Sequence, residues 1–467
     1  MTRIWPVCNE GLGNSSYLIE VAPGLALAVD PGRDPRPYLS LAAKHGLAVA
    51  FTADTHVHAD FVSGGRELAG LGARQLSPAA AGLAFPHEEL RDGAEVDLGG
   101  LALRPLATPG HTPEHLSYLL LDGSQPVAVF TGGALIAGGV ARTDLTDPAR
   151  AEDWTRLAYR SARTLLALPA DLEVYPTHGP GSFCSPAETG EHVTTIGRER
   201  AAKSSLAEDG EDAFTRQVLT GLGSYPAYFT WMPAVNRRGA PRHGASRPAL
   251  AGLTAAHVAE LADAGAVIVD ARPIAAFAAA HIAGALSNEL RPAFATWLGW
   301  LASPARPLIA VLDPGQDRGA LVEAALLAGY DNLAGELDGG IAAWQAAGLP
   351  VTSIPLRDPA TDQLPDGCRV LDVRQHGEWM SGHLPSAVHA ELGTLAGRGT
   401  LAERGTLAGP AVQSGLGDGP LAVMCGHGER AMTAASLLVA AGGGGVSVLR
   451  GGPEAWAQAT GQALALG

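Results

Sequence analysis

The sequence predicts a multidomain α/β protein: a layered sandwich of mixed strands and helices, followed by two small doubly wound domains. Three observations carry the prediction. At 467 residues the chain exceeds what one core organises, and a typical domain of about 150 residues implies three. From Ile4 to about Val235, short apolar runs alternate with Gly/Pro turns without a strict strand–helix repeat, as in a layered sandwich. Beyond a Pro/Gly-rich polar linker at Arg237–Arg242 the chain repeats itself, each copy reading strand, helix, strand, helix. The expected domains are 1–236, 250–352 and 354–467.

Within the first domain, Ser16 to Val21 and Leu25 to Val29 read as strands closed by the turn Asp30-Pro31-Gly32, and Pro37 to His45 as a helix. The apolar run Leu47 to Phe51 reads as a buried strand leading into Thr55-His56-Val57-His58-Ala59-Asp60-Phe61. Further strands are expected at Leu101 to Leu106, Leu116 to Leu121, Val127 to Phe130 and Leu172 to Tyr175, with a helix from Pro148 to Leu168. The aromatic stretch Tyr225 to Trp231 is expected to pack on this domain.

The repeat is visible as paired landmarks. Val269-Asp270-Ala271-Arg272 matches Leu371-Asp372-Val373-Arg374, and His281-Ile282-Ala283-Gly284-Ala285 matches His383-Leu384-Pro385-Ser386-Ala387, at one constant offset. Gly339-Gly340 through Trp344 matches Gly451-Gly452 through Trp456 at a larger one. The extra residues fall between Leu392 and Leu421, where Gly-Thr-Leu-Ala recurs at Gly393, Gly399 and Gly405; this insert reads as a surface loop.

Composition excludes several classes. The formal charge is −15, with 32 basic against 47 acidic residues, so no basic face is available to displace counterions from a nucleic acid. No apolar run approaches the ~18–20 residues that span a bilayer. Met1 to Pro6 lacks the apolar core of a signal peptide, and four widely separated cysteines do not form a disulfide framework. A cytoplasmic, reduced setting is expected, and a homo-oligomer is compatible with the sequence.

Chemistry concentrates at two poles. His56, His58 and Asp60 place two imidazoles and a carboxylate at alternating positions just past a strand end, where they can converge on a metal. His111, in Thr108-Pro109-Gly110-His111-Thr112, and His178, in Tyr175-Pro176-Thr177-His178-Gly179, follow strands in the same way; His115 reads as a packing or supporting residue. Cys184 is a candidate pocket-lining residue that contacts a sulfur substrate, with packing under its loop as the alternative, and Cys8 and Cys368 read as structural. At the second pole, the strand Leu421 to Met424 delivers Cys425 into Cys425-Gly426-His427-Gly428-Glu429-Arg430, ahead of a helix. A loop wrapped at a helix N-terminus aims backbone N–H groups at the sulfur and Arg430 adds charge, so thiolate, the form that accepts sulfane sulfur, is favoured. The equivalent position in the first repeat is Asp313, which cannot carry sulfur, so that domain is expected to be catalytically silent.

Several motifs in order resemble the metallo-β-lactamase superfamily: Asn9 to Tyr17, Asp30-Pro31, Thr55 to Asp60, the Pro-Gly-His-Thr around His111, Thr131 to Leu135 with Arg142-Thr143-Asp144, and Pro176 to Gly179. Within it they are similar to persulfide dioxygenases and their rhodanese fusions, in which a mononuclear iron oxidises a glutathione-type persulfide with oxygen to sulfite. Both repeats resemble rhodanese sulfurtransferase domains, and Cys425 to Arg430 their active loop. The resemblance implies an αββα sandwich, metal ligands among His56, His58, Asp60, His111 and His178, and substrate contacts from Arg142, Gly426, His427, Gly428 and Glu429. Two departures stand out: Phe61 replaces the last histidine of His-x-His-x-Asp-His, and Gly133 replaces an aspartate ligand.

Three arrangements follow. His56, His58 and His111 could form a three-nitrogen zinc face; His56 and His111 could hold iron with Asp60, Asp144 or water; or no metal binds, because Gly133 replaces the aspartate. The expected cofactor is therefore Fe(II), Zn(II) or none. The expected function is thiosulfate or persulfide sulfur transfer through Cys425 and Arg430, coupled to a metal-dependent persulfide dioxygenase-like domain. Small thiol persulfides, glutathione-type thiols or thiosulfate are the partners. The alternatives are a zinc-dependent thioester hydrolase-like domain and a metal-free scaffold that only relays sulfur.

Overall fold

The computed structural model describes residues 2–185, 191–202, 206, 210–395 and 419–467; the recurrences at Gly399 and Gly405 lie outside them. The described chain divides into two compact units, Met1–Pro248 with Leu326–Gly329, and Ala249–Ala325 with Tyr330–Gly467.

The first unit holds two six-stranded sheets. One runs β1 (Ile4–Asn9), β2 (Asn14–Ala22), β3 (Leu25–Val29), β4 (Ala48–Ala53), β5 (Arg74–Pro78) and β6 (Glu88–Leu90), antiparallel through β3 and parallel from β3 to β6. The other comprises β7 (Val96–Asp97), β8 (Ala102–Ala107), β9 (Leu116–Asp122), β10 (Gln125–Gly132), β11 (Glu173–Pro176) and β12 (Thr194–Thr195). The strands expected from the sequence are present, with ends moved by a few residues; β1, β5, β6, β7 and β12 were not foreseen, β6, β7 and β12 because two or three residues are too few for a period-two signal.

Alternation decides the layers. Inward residues of both sheets, including Tyr17, Ile19, Leu27 and Phe51 from the first and Leu103, Tyr118, Leu120 and Phe130 from the second, share one core. The opposite face of the first sheet packs Leu18, Ala26 and Ala28 on Tyr38 and Ala42 of helix α1 (Arg36–Lys44) and on Leu68 of α2 (Gly65–Gly70). The opposite face of the second packs Leu119, Val129 and Val174 on Ala158, Ala162 and Leu165 of α3 (Ala151–Leu166). The result is helix, sheet, sheet, helix. The Tyr225 to Trp231 stretch packs as expected: Tyr228 and Phe229 lie against Ala59, Val62 and Cys184.

The second unit contains two five-stranded sheets with one strand order, first-fifth-fourth-second-third. In the first sheet the order runs Gly252–Leu253, Leu333–Leu337, Leu308–Val311, Val267–Asp270, Leu286–Ser287; in the second, Leu356–Arg357, Val446–Leu449, Leu421–Met424, Arg369–Asp372, Val388–His389. All ladder pairs in both are parallel, as a doubly wound fold requires. The repeated Asp-x-Arg landmark has a common cause. Arg272 folds back on Asp270 and Arg374 on Asp372, each pair buried at the end of the second strand.

Candidate active sites

At the C-terminal end of β4 the chain turns through Asp54 to Phe61, and neighbouring elements fix the turn. Glu114 Oε1 accepts the Val57 amide at 2.9 Å. Asn236, from helix α4 (Met232–Arg238), donates to the carbonyls of His58 and Phe61 and accepts the Ser63 amide. Sequence reading missed both residues. They act on backbone groups across the fold, and such a bond leaves no local pattern.

Three imidazoles meet above this turn. Ring nitrogens of His56, His111 and His178 all lie within 4.8 Å of one another, on fully buried residues. Their surroundings set one tautomer throughout. Thr55 Oγ1 gives its proton to Asp30, so at 2.8 Å it accepts from His56 Nδ1–H. His111 Nδ1–H donates to the Arg142 carbonyl at 2.7 Å. His178 Nδ1 faces two acceptors, Asn14 Oδ1 at 3.3 Å and Asp60 Oδ2 at 3.4 Å. The Nε2 atoms of His56 and His111 therefore carry lone pairs, and Nε2 of His178 faces that of His56 at 3.4 Å. Burial, and then the neighbouring imidazoles, hold His56 well below its ordinary pKa and His111 at about 3, so both stay neutral at pH 7. Converging neutral lone pairs repel unless a cation sits among them. Nitrogens bound tetrahedrally at the usual zinc distance stand about 3.3 Å apart. The residues fit a metal.

This set corrects two expectations. His58 is not on the three-nitrogen face but falls in a separate candidate group with Asp30 and His56: its ring lies 3.3 Å from Asp30 Oδ1 and 3.7 Å from Asp54 Oδ1 and stacks on Phe61. Burial opposes its charge, but Asp30 and then Asp54 outweigh burial and hold it up at about 10. The Phe61 ring thus covers an imidazolium in place of the histidine at that position. Asp144 is not an iron ligand either, because both its oxygens accept from Arg142 at 2.8 Å.

Asp60 sits beside His178, held by Asn14 Nδ2 at 2.6 Å, and the two form a second group with Cys184. Burial pushes the Cys184 thiol far up, so it is a protonated wall residue. Arg142 is redirected too. Only 4% exposed, its guanidinium is spent on Asp144 and on the carbonyls of Phe183 and Gly223, which leaves it no donor pair for a substrate carboxylate. Its contribution to the site is the backbone carbonyl that orients His111. His115 bonds the Gly133 amide and Thr108, in the supporting role its spacing implied.

Gly133 is explained by space. A Cβ there would stand 2.5 Å from His111 Cδ2 and 2.7 Å from Cγ. Gly133→Asp, which writes the family residue back, is therefore expected to displace His111 and lower metal affinity, on the order of 10–100-fold as for lost ligand support. Competition with a chromophoric chelator measures it; tighter binding would refute this packing argument.

In the second unit, Cys425 ends the strand Leu421–Met424 and is buried, and its Sγ accepts the Gly428 amide at 3.1 Å. Gly428, at φ +127°, needs glycine's freedom to make that turn, and helix Glu429–Ala440 starts directly after it. His427 is exposed at the loop's tip, and its carbonyl accepts the Gly451 amide. Arg430 is half-buried beneath the loop in a bidentate pair with Glu378, at 2.6 and 2.7 Å, which sequence reading did not single out. Part of the charge expected at sulfur is therefore shared with Glu378, and the pair fixes the guanidinium beside Gly426. Removing the partner carboxylate, as in Glu378→Gln, is expected to lower sulfur-transfer kcat roughly tenfold with a smaller change in KM; an unchanged kcat would remove Glu378 from the loop's support. In the first repeat Asp313 stands at the cysteine's place, and Arg318 ties its loop to Glu336.

An αββα sandwich with buried imidazoles at its strand ends, followed by two doubly wound domains, one holding a cysteine under a helix N-terminus, defines a metallo-β-lactamase-fold protein with rhodanese-like domains. The Rhodanese-like domain family matches residues 254–347 and 356–459. The chain is 29% identical over 191 residues to the mitochondrial persulfide dioxygenase ETHE1 of Homo sapiens, covering 40% of this chain and 68% of that one. It is 30% identical over 236 residues to a hydroxyacylglutathione hydrolase-like protein of Mus musculus, covering 48% and 77%. A crystal structure of a metallo-β-lactamase from Staphylococcus aureus subsp. aureus COL superposes with a TM-score of 0.64 at 26% identity, covering 72% of this chain and 98% of that one. The chain belongs to the metallo-β-lactamase superfamily and carries two rhodanese-like domains.

Proposed function

We propose that this protein handles sulfane sulfur, with Cys425 as the sulfur-carrying nucleophile. The observation that carries the reading is the Gly428 N–H aimed at Cys425 Sγ at the start of a helix. The Cys425 thiolate attacks the outer sulfur of thiosulfate or of a small thiol persulfide. A sulfur–sulfur bond forms to Cys425 as the donor's own breaks, and sulfite or thiolate leaves with the electron pair. An acceptor thiolate then attacks the outer sulfur of the Cys425 persulfide and releases Cys425. The loop amides and the Arg430–Glu378 pair hold the anion, and the exposed His427 with Gly426 and Glu429 forms the rim that a donor meets. The four cysteines are free, which supports a reduced setting, and no helix among the described residues is long and apolar enough to cross a membrane.

In the first unit, His56, His111 and His178 would hold one metal ion, with His58 supporting the segment as an imidazolium and Asp60 orienting His178. Such an ion supplies Lewis-acid activation of a bound substrate or water. The chain's own groups fix tautomers, exclude water and keep His56 and His111 neutral. A glutathione-type persulfide or thioester is the substrate class favoured. Two chemistries compete, persulfide oxygenation with iron and thioester hydrolysis with zinc. The absence of a carboxylate from the three-imidazole set favours zinc hydrolysis, because non-haem iron oxygenases use two histidines and a carboxylate. Oxygen uptake on glutathione persulfide, set against thioester cleavage without oxygen uptake, separates them; sulfur transfer with neither would leave the first unit as a carrier.

A further inference from the structure

A cleft of the first unit, lined by His56 and His58 among others, carries groups that the steps above do not use. It lies at the carboxyl ends of three neighbouring parallel strands: Arg33 follows β3, Asp54 and His58 follow β4, and Ser77 is near the end of β5. In parallel sheets such strand ends form the crevice where ligands bind. Leu76 points into the inter-sheet core, so Gln75 and Ser77 face the other way, into the cleft. Of the three imidazoles that converge on the metal position, His56 alone lines it.

Among the lining atoms buried without a hydrogen-bond partner are two acceptors, Gln75 Oε1 and Ser77 Oγ, on residues 6% and 1% exposed. Buried polar atoms are normally paired, and these two await a donor. The charged lining is cationic in excess: Arg33, Arg66 and Arg242 face Asp54 and Glu67. Both carboxylates are engaged, Asp54 by the Ser63 hydroxyl and Glu67 by the His243 and Gly244 amides. Pro78, Leu83 and Phe85 add an apolar wall.

We propose that this cleft is a second ligand site that binds a small organic carboxylate carrying an N–H or O–H donor. The carboxylate faces Arg66 and Arg242, and the donor pairs with Gln75 Oε1 and Ser77 Oγ. The site shares the His56 ring with the metal position but uses neither His111, His178 nor Cys425.

The test is titration calorimetry on the full-length protein with glycylglycine and L-lactate, and with glycylglycinamide, which lacks the carboxylate. At least one of the two carboxylates is expected to bind saturably, one per chain, and the amide is not. Gln75→Leu is expected to weaken binding roughly tenfold. Arg242→Gln, at an exposed position that cannot disturb the core, is expected to weaken it several-fold, with the metal content unchanged in both. No saturable binding of either carboxylate, or binding that neither substitution weakens, would overturn the proposal.

Discussion

Replacing Cys425 with serine is expected to lower sulfur transfer from thiosulfate to cyanide by at least about a thousandfold. Serine keeps the volume and the Gly428 contact, so the fold persists. Its hydroxyl is not ionised near pH 7 and cannot hold sulfane sulfur as a persulfide. The first repeat offers no substitute, since Asp313 occupies the equivalent position. Cys184→Ser and Cys8→Ser, by contrast, should leave the transfer rate within about twofold, because neither lies in the loop that activates sulfur. Intact-mass detection of a persulfide on wild-type protein after exposure to thiosulfate, absent in Cys425→Ser, reports the same step without turnover. Persistent transfer in Cys425→Ser would move the nucleophile elsewhere.

Exchanging His58 for glutamine is expected to destabilise the first unit by about 3–5 kcal/mol while leaving its metal content intact. The buried imidazolium lies 3.3 Å from Asp30 and 3.7 Å from Asp54. Asp30 also receives the Thr55 amide at 2.6 Å and the Thr55 and Thr177 hydroxyls. Burial works against its ionised form, but His58 and these hydrogen bonds hold its pKa below the usual carboxylate range. Glutamine removes the charge and leaves buried carboxylates uncompensated, the costly half of a buried pair. The loss should show as an earlier unfolding transition of the first unit, followed separately because a chain of several domains does not unfold in two states.

The sequence made much of this legible, for identifiable reasons. Leu25–Val29 and the strands leading to His56, His111 and His178 could be read because a buried strand is a short apolar run closed by a turn, and the histidines follow those turns. The repeat could be read because Asp270/Arg272 and Asp372/Arg374 solve one local problem, a buried carboxylate satisfied by its own neighbour. What could not be read was the direction of each ring. His56 and His58 look alike along the chain. Asp30, on the neighbouring strand's turn at φ +49°, draws His58 away from the ligand set, while Thr55 and Asp30 fix the tautomer of His56. The resemblance alone implies a substrate contact for Arg142, and only the fold brings Asp144, Phe183 and Gly223 around it. Gly133 looked like a lost ligand, whereas in three dimensions it is the space that the His111 ring uses.

Metal stoichiometry in the intact chain tests the central claim most directly. Protein expressed with iron and zinc both available and purified without oxygen is analysed by plasma mass spectrometry, beside His178→Gln and His58→Gln prepared in the same way. The three-imidazole centre predicts one metal per chain in the wild type and in His58→Gln, and a large loss in His178→Gln. Metal that survives in His178→Gln but is lost in His58→Gln, or a wild-type chain without metal, would contradict it.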